Sequence, residues 1–364
     1  MKVKRNLVLI VFAAVLLIGA ASCSRRERLY IYNWSYYTPD DVIELFQEEF
    51  GVRVIYDEYA SNEEMYAKIL ATNREGLLGR FLGVFSRRYD IVFPSEDYTA
   101  IMISQELLEP INRALVPNLR NIDPLVLRKA EYDSNMNYSV PYFWGAAGIA
   151  VNTARVRNFE HTWSIFGRSD VAGGGAPRMT MLDDMRETMG AALGYLGYSA
   201  NTRNQREIEA ARDLINNQWK PNLATFDGVA YAMGYARGDF WVVNGYAEDI
   251  FWEIYEDEQL MRDTVFFIPP NGTAFIDSMV ILKGSRNIEL AHEFINFIHR
   301  PDIYALFVDE FGLPATVNIP ARQHKEGDSW YELEDILDLE LKFDLGPALE
   351  HFNNAWFNSI RVGN

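Results

Sequence analysis

The sequence predicts an α/β protein with two lobes, each a mostly parallel sheet flanked by helices, joined by crossover segments that can act as hinges. Short apolar strands alternate with amphipathic helices along the chain, which is the pattern of parallel α/β sheets. The 364 residues suit two domains of ordinary size. Because 49% of the residues are hydrophobic, the chain can also bury a large core.

The first strand–helix–strand unit shows this pattern most clearly. Residues 29–33 and 52–59 are rich in Ile, Val and Tyr, as strands are. Between them Thr38 is a candidate N-cap, Pro39 suits the first helical position, and apolar residues recur at helical spacing as far as Gly51. This order predicts a parallel pair of strands with a crossover helix.

The rest of the chain divides into a second lobe and a return to the first. The apolar run 141–152 contains Gly145 and Gly148 and predicts an extended first passage between the lobes. Further strands are predicted at 90–95, 178–182, 240–243, 264–268 and 278–282, and further helices at 183–195, 204–219, 287–299 and 302–311. The predicted division is a signal peptide at 1–22, a tether at 23–28, a first lobe at 29–145 and 270–320, and a second lobe at 146–269 and 321–364.

The N-terminus predicts export. Basic residues precede the apolar run 7–21, which is shorter than the roughly 20 residues that a membrane span needs. Cys23 is the only cysteine, so an intramolecular disulfide is impossible. The segment 20–23 is similar to the bacterial lipobox, although Ala20 replaces the usual leucine. We therefore predict that Cys23 is lipidated and anchors the mature protein to a membrane.

The chain is strongly acidic. Its formal charge is −17, and removal of the signal, which carries three basic residues and no acidic ones, makes it −20. Such a surface repels nucleic acid and favours cationic ligands, although it also keeps exported proteins soluble. No nucleic-acid partner is expected.

Aromatic rings lie next to carboxylates at the boundaries of predicted strands. The segments are 33–37, 182–187, 245–249 and 275–278, the last of which precedes a predicted strand. A buried ammonium needs carboxylates to replace its water, and ring faces attract cations by up to about 2 kcal/mol. Each segment alone has a structural explanation, such as a helix cap or a core ring. Their joint occurrence predicts a cleft for a small organic polycation.

These residues give the chain a resemblance to the periplasmic polyamine-binding proteins of ATP-driven spermidine/putrescine importers. The resemblance extends from Leu29 to the C-terminus, and the segments that carry it are 30–35, 59–68, 89–95, 140–145, 196–202 and 295–302. It implies the type II periplasmic-binding-protein fold and a monomer in the periplasm. It further implies hinge closure on putrescine or spermidine, delivery to the membrane subunits of an ABC importer, and no cofactor, metal or catalysed reaction.

The family pattern also implies a set of ligand-binding residues. The rings of Trp34, Tyr37 and Phe275 would contact the methylene stem. Asp249 and Asp277 would bind ammonium groups, and Glu187 would bind one from the second lobe. The full set is Trp34, Ser35, Tyr36, Tyr37, Ser95, Asp97, Asp184, Glu187, Tyr246, Asp249, Phe275 and Asp277.

Three departures from the family pattern bear on ligand length. Asp97 replaces an aromatic or small residue, Leu313 replaces a frequent tyrosine, and the segment 74–88 is longer than usual. The spacing of Tyr246 and Asp249 resembles the putrescine-preferring branch, so putrescine is the favoured expectation.

Other functions stay open at this stage. The same fold could bind another amine, an amino acid or a sugar, and a surface lipoprotein could serve adhesion. A glycoside hydrolase using Asp249 and Asp277 is conceivable. His292 and His299 are seven residues apart, which does not suit joint metal ligation on a helix.

Overall fold

The computed structural model describes residues 26–35, 37–59, 61–74 and 89–362. The predicted signal, Cys23, Tyr36 and most of the segment 74–88 lie outside the described residues. The strands are β1 (Arg28–Trp34), β2 (Arg53–Tyr59), β3 (Ile91–Val92), β4 (Ser139–Ala146), β5 (Gly148–Asn152), β6 (Ala172–Gly173), β7 (Ala176–Pro177), β8 (Met179–Met181), β9 (Leu223–Phe226), β10 (Val242–Gly245), β11 (Thr264–Phe267), β12 (Thr273–Ile281) and β13 (Glu340–Leu341). The α-helices are α1 (Asp40–Phe50), α2 (Asn62–Arg74), α3 (Glu96–Ser104), α4 (Pro124–Lys129), α5 (Met185–Tyr195), α6 (Gln205–Leu214), α7 (Tyr231–Ala236), α8 (Ala247–Ile254), α9 (Glu258–Asp263), α10 (Ile288–Ile298), α11 (Pro301–Glu310) and α12 (Leu349–Ala355).

The first sheet has the strand order β13-β12-β3-β1-β2, and β4 also pairs with β12. Strands β1 and β2 are parallel along their whole length, from Arg28 opposite Arg53 to Trp34 opposite Tyr59. The helix between them, α1, buries Val42 and Phe46, and Gly51 ends it with a φ of 66°. Only glycine adopts that conformation without steric cost, so the sequence places the stop correctly. Thr38 does not cap the helix, whose N-cap residue is Pro39, and its hydroxyl accepts a hydrogen bond from Asn33 Nδ2.

The second sheet has the order β11-β5-β10-β8-β9. Strands β8, β9 and β10 are parallel neighbours, whereas β5 runs antiparallel to both β10 and β11. Both sheets are therefore mixed, with antiparallel pairs where the linking strands β4 and β5 join them. The described residues adopt the predicted α/β architecture with two separate large sheets, and β6 and β7 form a further two-stranded sheet.

The two sheets are linked directly at the end of β4. Only Ala147 separates β4 in the first sheet from β5 in the second, so the extended passage predicted at 141–152 consists of two strands. Gly145 lies at this junction, and a Cβ there would be 2.9 Å from Phe275 Cζ. The close approach of backbone to ring requires glycine at this position.

The C-terminal tail departs from the predicted division. Residues 321–364 were assigned to the second lobe, but Tyr331, Ile336 and Leu341 pack in the core of the first sheet. Strand β13 pairs in parallel with β12 of that sheet. The tail joins the second core only from Leu345 onward. Apolar spacing marks which tail residues are buried but not which of the two cores receives them, so the assignment of 321–341 was wrong.

Candidate ligand-binding cleft

A cavity of about 400 Å³ lies between residues of the two lobes. Six carboxylates and a single ammonium are among its lining side chains, so its charge disfavours an anionic ligand. Its lining residues are Trp34, Ser35, Tyr37, Tyr59, Asn62, Ser95, Asp184, Glu187, Gly228, Val229, Ala232, Met233, Tyr246, Glu248, Asp249, Trp252, Glu253, Phe275, Asp277 and Lys342.

Asp277 is a carboxylate of the cavity that is held by two hydroxyl groups. Tyr37 donates its hydroxyl to Oδ2 at 2.7 Å, and Ser95 donates its hydroxyl to Oδ1 at 2.6 Å. Burial raises the pKa of Asp277 to about 6, although both hydroxyl donors lower it. Each oxygen keeps one lone pair for a further donor. The carboxylate is therefore oriented in advance to receive a cation.

The strand β12 explains how Asp277 reaches the cavity. The sequence predicted that 275–278 precedes a strand beginning at 278, but these residues lie inside β12. The register between β12 and β4 shifts at Asp277 and Ser278. Such an irregularity redirects a side chain out of the regular alternation. Ser278 then donates its backbone N–H to Pro94 O at 3.0 Å, which brings Ser95 next to Asp277.

Aromatic rings from both lobes form the apolar walls. Trp34 donates its indole N–H and Tyr59 its hydroxyl to the same acceptor, Phe93 O, and their ring centroids are 4.7 Å apart. Across the cavity Tyr246 packs edge-on against Phe275, with centroids 5.7 Å apart. Rings fixed in this way can cover a methylene chain without losing side-chain freedom on binding.

Glu187 is already paired inside the protein. Its Oε1 forms a short ion pair with Lys342 Nζ, and its Oε2 accepts a hydrogen bond from Thr273 Oγ1 at 2.6 Å. Burial lowers the pKa of Lys342, but Glu187 and Glu96 raise it above its ordinary value. Lys342 therefore keeps its ammonium, which occupies the position at which the family pattern implies a ligand ammonium.

Asp184 stands at the start of α5, beside this ion pair. Its Oδ1 accepts the backbone N–H of Glu187 at 2.9 Å, which is the hydrogen bond of a helix N-cap. Burial and the charge of Glu187 raise the pKa of Asp184 to about 6. Both the structural and the ligand-binding interpretations of Asp184 are thus compatible, because one residue can cap the helix and line the cavity.

Asp249 and Glu248 differ in how they are held. Tyr231 donates its hydroxyl to Asp249 in a short hydrogen bond and accepts one from the Tyr246 backbone N–H at 3.1 Å. The carboxylate of Glu248 is stabilised by its own backbone N–H, and no basic side chain of the described residues forms an ion pair with it. Burial and Asp249 raise the pKa of Glu248 to about 8, with a contribution from Asp277. Glu248 is thus a carboxylate of the cavity that lacks a counter-charge.

The structure places ten of the predicted ligand-binding residues around the cavity. They are Trp34, Ser35, Tyr37, Ser95, Asp184, Glu187, Tyr246, Asp249, Phe275 and Asp277. Tyr36 lies outside the described residues. Asp97 is not among the lining residues, because it lies in the first turn of α3 and accepts the Tyr98 backbone N–H at 2.8 Å.

Sequence reasoning missed several lining residues, of which Glu248 and Lys342 matter most. Glu248 is adjacent to Asp249 in the segment 245–249, where aromatic and acidic residues are neighbours, and this position could have identified it as a lining residue. Lys342 lies in the tail, within no motif, and reaches the cavity only because β13 returns to the first sheet.

Within the described residues, no group of three or more His, Cys, Asp or Glu side chains is placed to hold a metal ion. None of the helices in the described ranges is both long enough and apolar enough to cross a membrane.

The profile of the bacterial extracellular solute-binding proteins matches residues 41–333. The spermidine/putrescine-binding periplasmic protein of Escherichia coli is 34% identical over 362 residues, which are 96% of each chain. The putrescine-binding periplasmic protein SpuD of Pseudomonas aeruginosa is 30% identical and covers 81% of this chain and 80% of its own.

A solved structure shows the same fold. The crystal structure of the TpPotD lipoprotein of Treponema pallidum superposes with a TM-score of 0.84 at 44% identity, covering 92% of this chain and 99% of that one. The predicted type II periplasmic-binding-protein fold is confirmed by this match.

Proposed function

Because this chain belongs to the family of bacterial extracellular solute-binding proteins, we propose that it captures a polyamine between its lobes. It then delivers the polyamine to an ABC importer and catalyses no reaction. The relatives named as spermidine/putrescine-binding periplasmic proteins support this ligand class. The observation that carries the proposal is Asp277, a buried carboxylate whose two hydroxyl donors leave it one open side facing a cavity with aromatic walls.

The proposed binding mode places one ammonium between Asp277 and Glu248. Asp277 belongs to the first lobe and Glu248 to the second, so a cation between them contacts both. Charge-assisted hydrogen bonds of this kind are about twice as strong as neutral ones. Trp34, Tyr246 and Phe275 would cover the methylene stem. Contacts made only when the lobes meet favour the closed form, which the importer would recognise.

Lys342 supports a short diamine, putrescine, over spermidine. Its ammonium neutralises Glu187 and lies 5.9 Å from the centroid of the Phe275 ring. A longer triamine would have to displace this lysine from its buried ion pair with Glu187, and breaking a buried ion pair is strongly destabilising. Cys23 is proposed as the lipid attachment site, which would hold the periplasmic protein at a membrane.

A ligand screen tests the proposal. Putrescine, cadaverine, spermidine, amino acids and sugars are titrated into the purified mature protein by calorimetry, with thermal shift as a second measurement. We expect putrescine to bind most tightly and to raise the melting temperature through mass action. Binding of a neutral sugar or of an amino acid, with no response to any amine, would contradict the proposed ligand class.

The carboxylates of the cleft predict a pH dependence. The pKa is about 6 for Asp277 and about 8 for Glu248, and both are raised. A raised pKa in the folded state means that ligand-free stability declines as the pH rises through these values. An ammonium binds the ionised carboxylates. At a pH below their pKa values these carboxyl groups are mostly protonated, so binding must release protons. Putrescine affinity should therefore rise from about pH 5.5 to about pH 8.5.

Calorimetry in buffers of different ionisation enthalpy measures the released protons directly. At neutral pH we expect net proton release on putrescine binding, and less release in Glu248→Gln, where the group with the higher pKa is gone. Proton uptake, or an affinity that falls over this pH range, would contradict the proposed role of the two carboxylates.

A further inference from the structure

Glu96 is a buried carboxylate that binds two backbone segments beside the cleft without lining the cavity. It begins α3 directly after Ser95, and its side chain is 1% exposed. Oε2 accepts the backbone N–H of Ile276 at 2.9 Å, and Oε1 accepts the backbone N–H of Lys342 at 3.0 Å. Each carboxylate oxygen is thus engaged with a backbone donor, so Glu96 is not a ligand group.

The two donors belong to the segments that carry Asp277 and Lys342, two charged side chains that line the cavity. Ile276 immediately precedes Asp277 on β12. Lys342 immediately follows β13, in the stretch that leads into the second lobe. The parallel pairing of β12 with β13 extends only to Ala274 and Leu341. Beyond the paired residues, the two hydrogen bonds of Glu96 hold the β12 and β13 segments together. Its Oε1 is also 4.0 Å from Lys342 Nζ.

We infer that Glu96 is a positioning residue that fixes the Lys342 backbone relative to Asp277, and thereby sets the ligand length that the cleft accepts. The lysine side chain is a flexible four-carbon stem, so its ammonium stays in one place only if its Cα does. A carboxylate that accepts two backbone N–H groups is a short and rigid connection. This inference rests on the proposed polyamine function.

Two variants separate position from charge. In Glu96→Gln the amide offers one acceptor and turns an NH₂ group toward a backbone donor. In Glu96→Asp the carboxyl group remains, but the side chain is one methylene shorter and cannot reach both donors. The quantity measured is the ratio of the spermidine Kd to the putrescine Kd, by calorimetry. We expect both variants to lower this ratio about tenfold, because Lys342 can then yield to the longer ligand.

The matched control is Asp133→Asn. Asp133 is also a buried carboxylate of the first lobe, and it accepts the backbone N–H groups of Asn137, Tyr138 and Ser139 at 2.8 Å. It does not line the cavity. This variant should lower the melting temperature and leave the Kd ratio unchanged.

A purely structural role for Glu96 would weaken both ligands equally, and an unchanged ratio in both variants overturns the inference. A change in Glu96→Gln alone would assign the effect to charge and also overturn it. If the wild-type protein binds no polyamine, the proposed function itself has failed, which is a different result.

Amide exchange in the wild-type protein tests the same claim without any variant. The inference predicts slow exchange of the Lys342 and Ile276 amides in the ligand-free protein. Exchange of the Lys342 amide at the rate of an unprotected amide would overturn it even if the variants failed to fold.

Discussion

Replacing Asp277 by asparagine is expected to weaken putrescine binding by about 3 kcal/mol, or about a hundredfold in Kd. The carboxylate accepts the Tyr37 and Ser95 hydroxyls and offers its remaining lone pairs to the ligand. An amide has a single acceptor oxygen, so one hydroxyl loses its partner and the ammonium loses its counter-charge. Titration calorimetry at neutral pH measures the loss.

Asp90→Asn is the matched control for this change. Asp90 is a buried carboxylate of the same lobe, and it accepts a hydroxyl from Ser285 at 2.6 Å, as Asp277 does from Ser95. It lies outside the cavity lining. The control should lose stability and keep its putrescine affinity. Equal affinity in Asp277→Asn and the wild type would remove Asp277 from the binding site.

Replacing Lys342 by methionine is expected to have two opposite effects. Glu187 would remain buried without its cation, and breaking a buried ion pair in this way costs about 3 to 5 kcal/mol of unfolding free energy. The vacated position would then accept a ligand ammonium, so spermidine should bind at least about tenfold more tightly than it does to the wild type. Chemical denaturation with and without spermidine measures both effects.

Lys129→Met serves as the comparison. Lys129 Nζ donates to Leu339 O at 3.4 Å and lies over the Trp144 ring, so its loss removes a lysine of the first lobe that has no carboxylate partner among the described residues. This variant should leave spermidine affinity unchanged. If Lys342→Met binds spermidine no better than Lys129→Met, Lys342 does not limit ligand length.

The repeating strand–helix pattern made much of the fold predictable from the sequence. Gly51 as a helix stop and the glycine-bearing passage at 141–152 both depend on local backbone chemistry, which a sequence displays directly. The lobe to which the tail belongs was harder to predict, because its buried residues could fill either core. The sequence predicted too late a start for strand β12. Its polar residues Asp277 and Ser278 lie inside a buried strand, where apolar residues are the usual signal.

The candidate site was predictable where aromatic and acidic residues are neighbours in the sequence. Trp34, Tyr246 and Asp277 were found in this way. Lys342 was not, since a basic residue argues against a cation site until its pairing with Glu187 is seen. Glu96 was not found either, because its partners are backbone N–H groups of segments that lie about 180 and 246 residues away in sequence.

A crystal structure of the putrescine complex tests the central claim most directly. The account predicts one diamine nitrogen within hydrogen-bond distance of both Asp277 and Glu248, the stem against Trp34 and Phe275, and Lys342 still paired with Glu187. A complex in which putrescine lies outside this cavity, or in which Asp277 contacts only Tyr37 and Ser95, would contradict it.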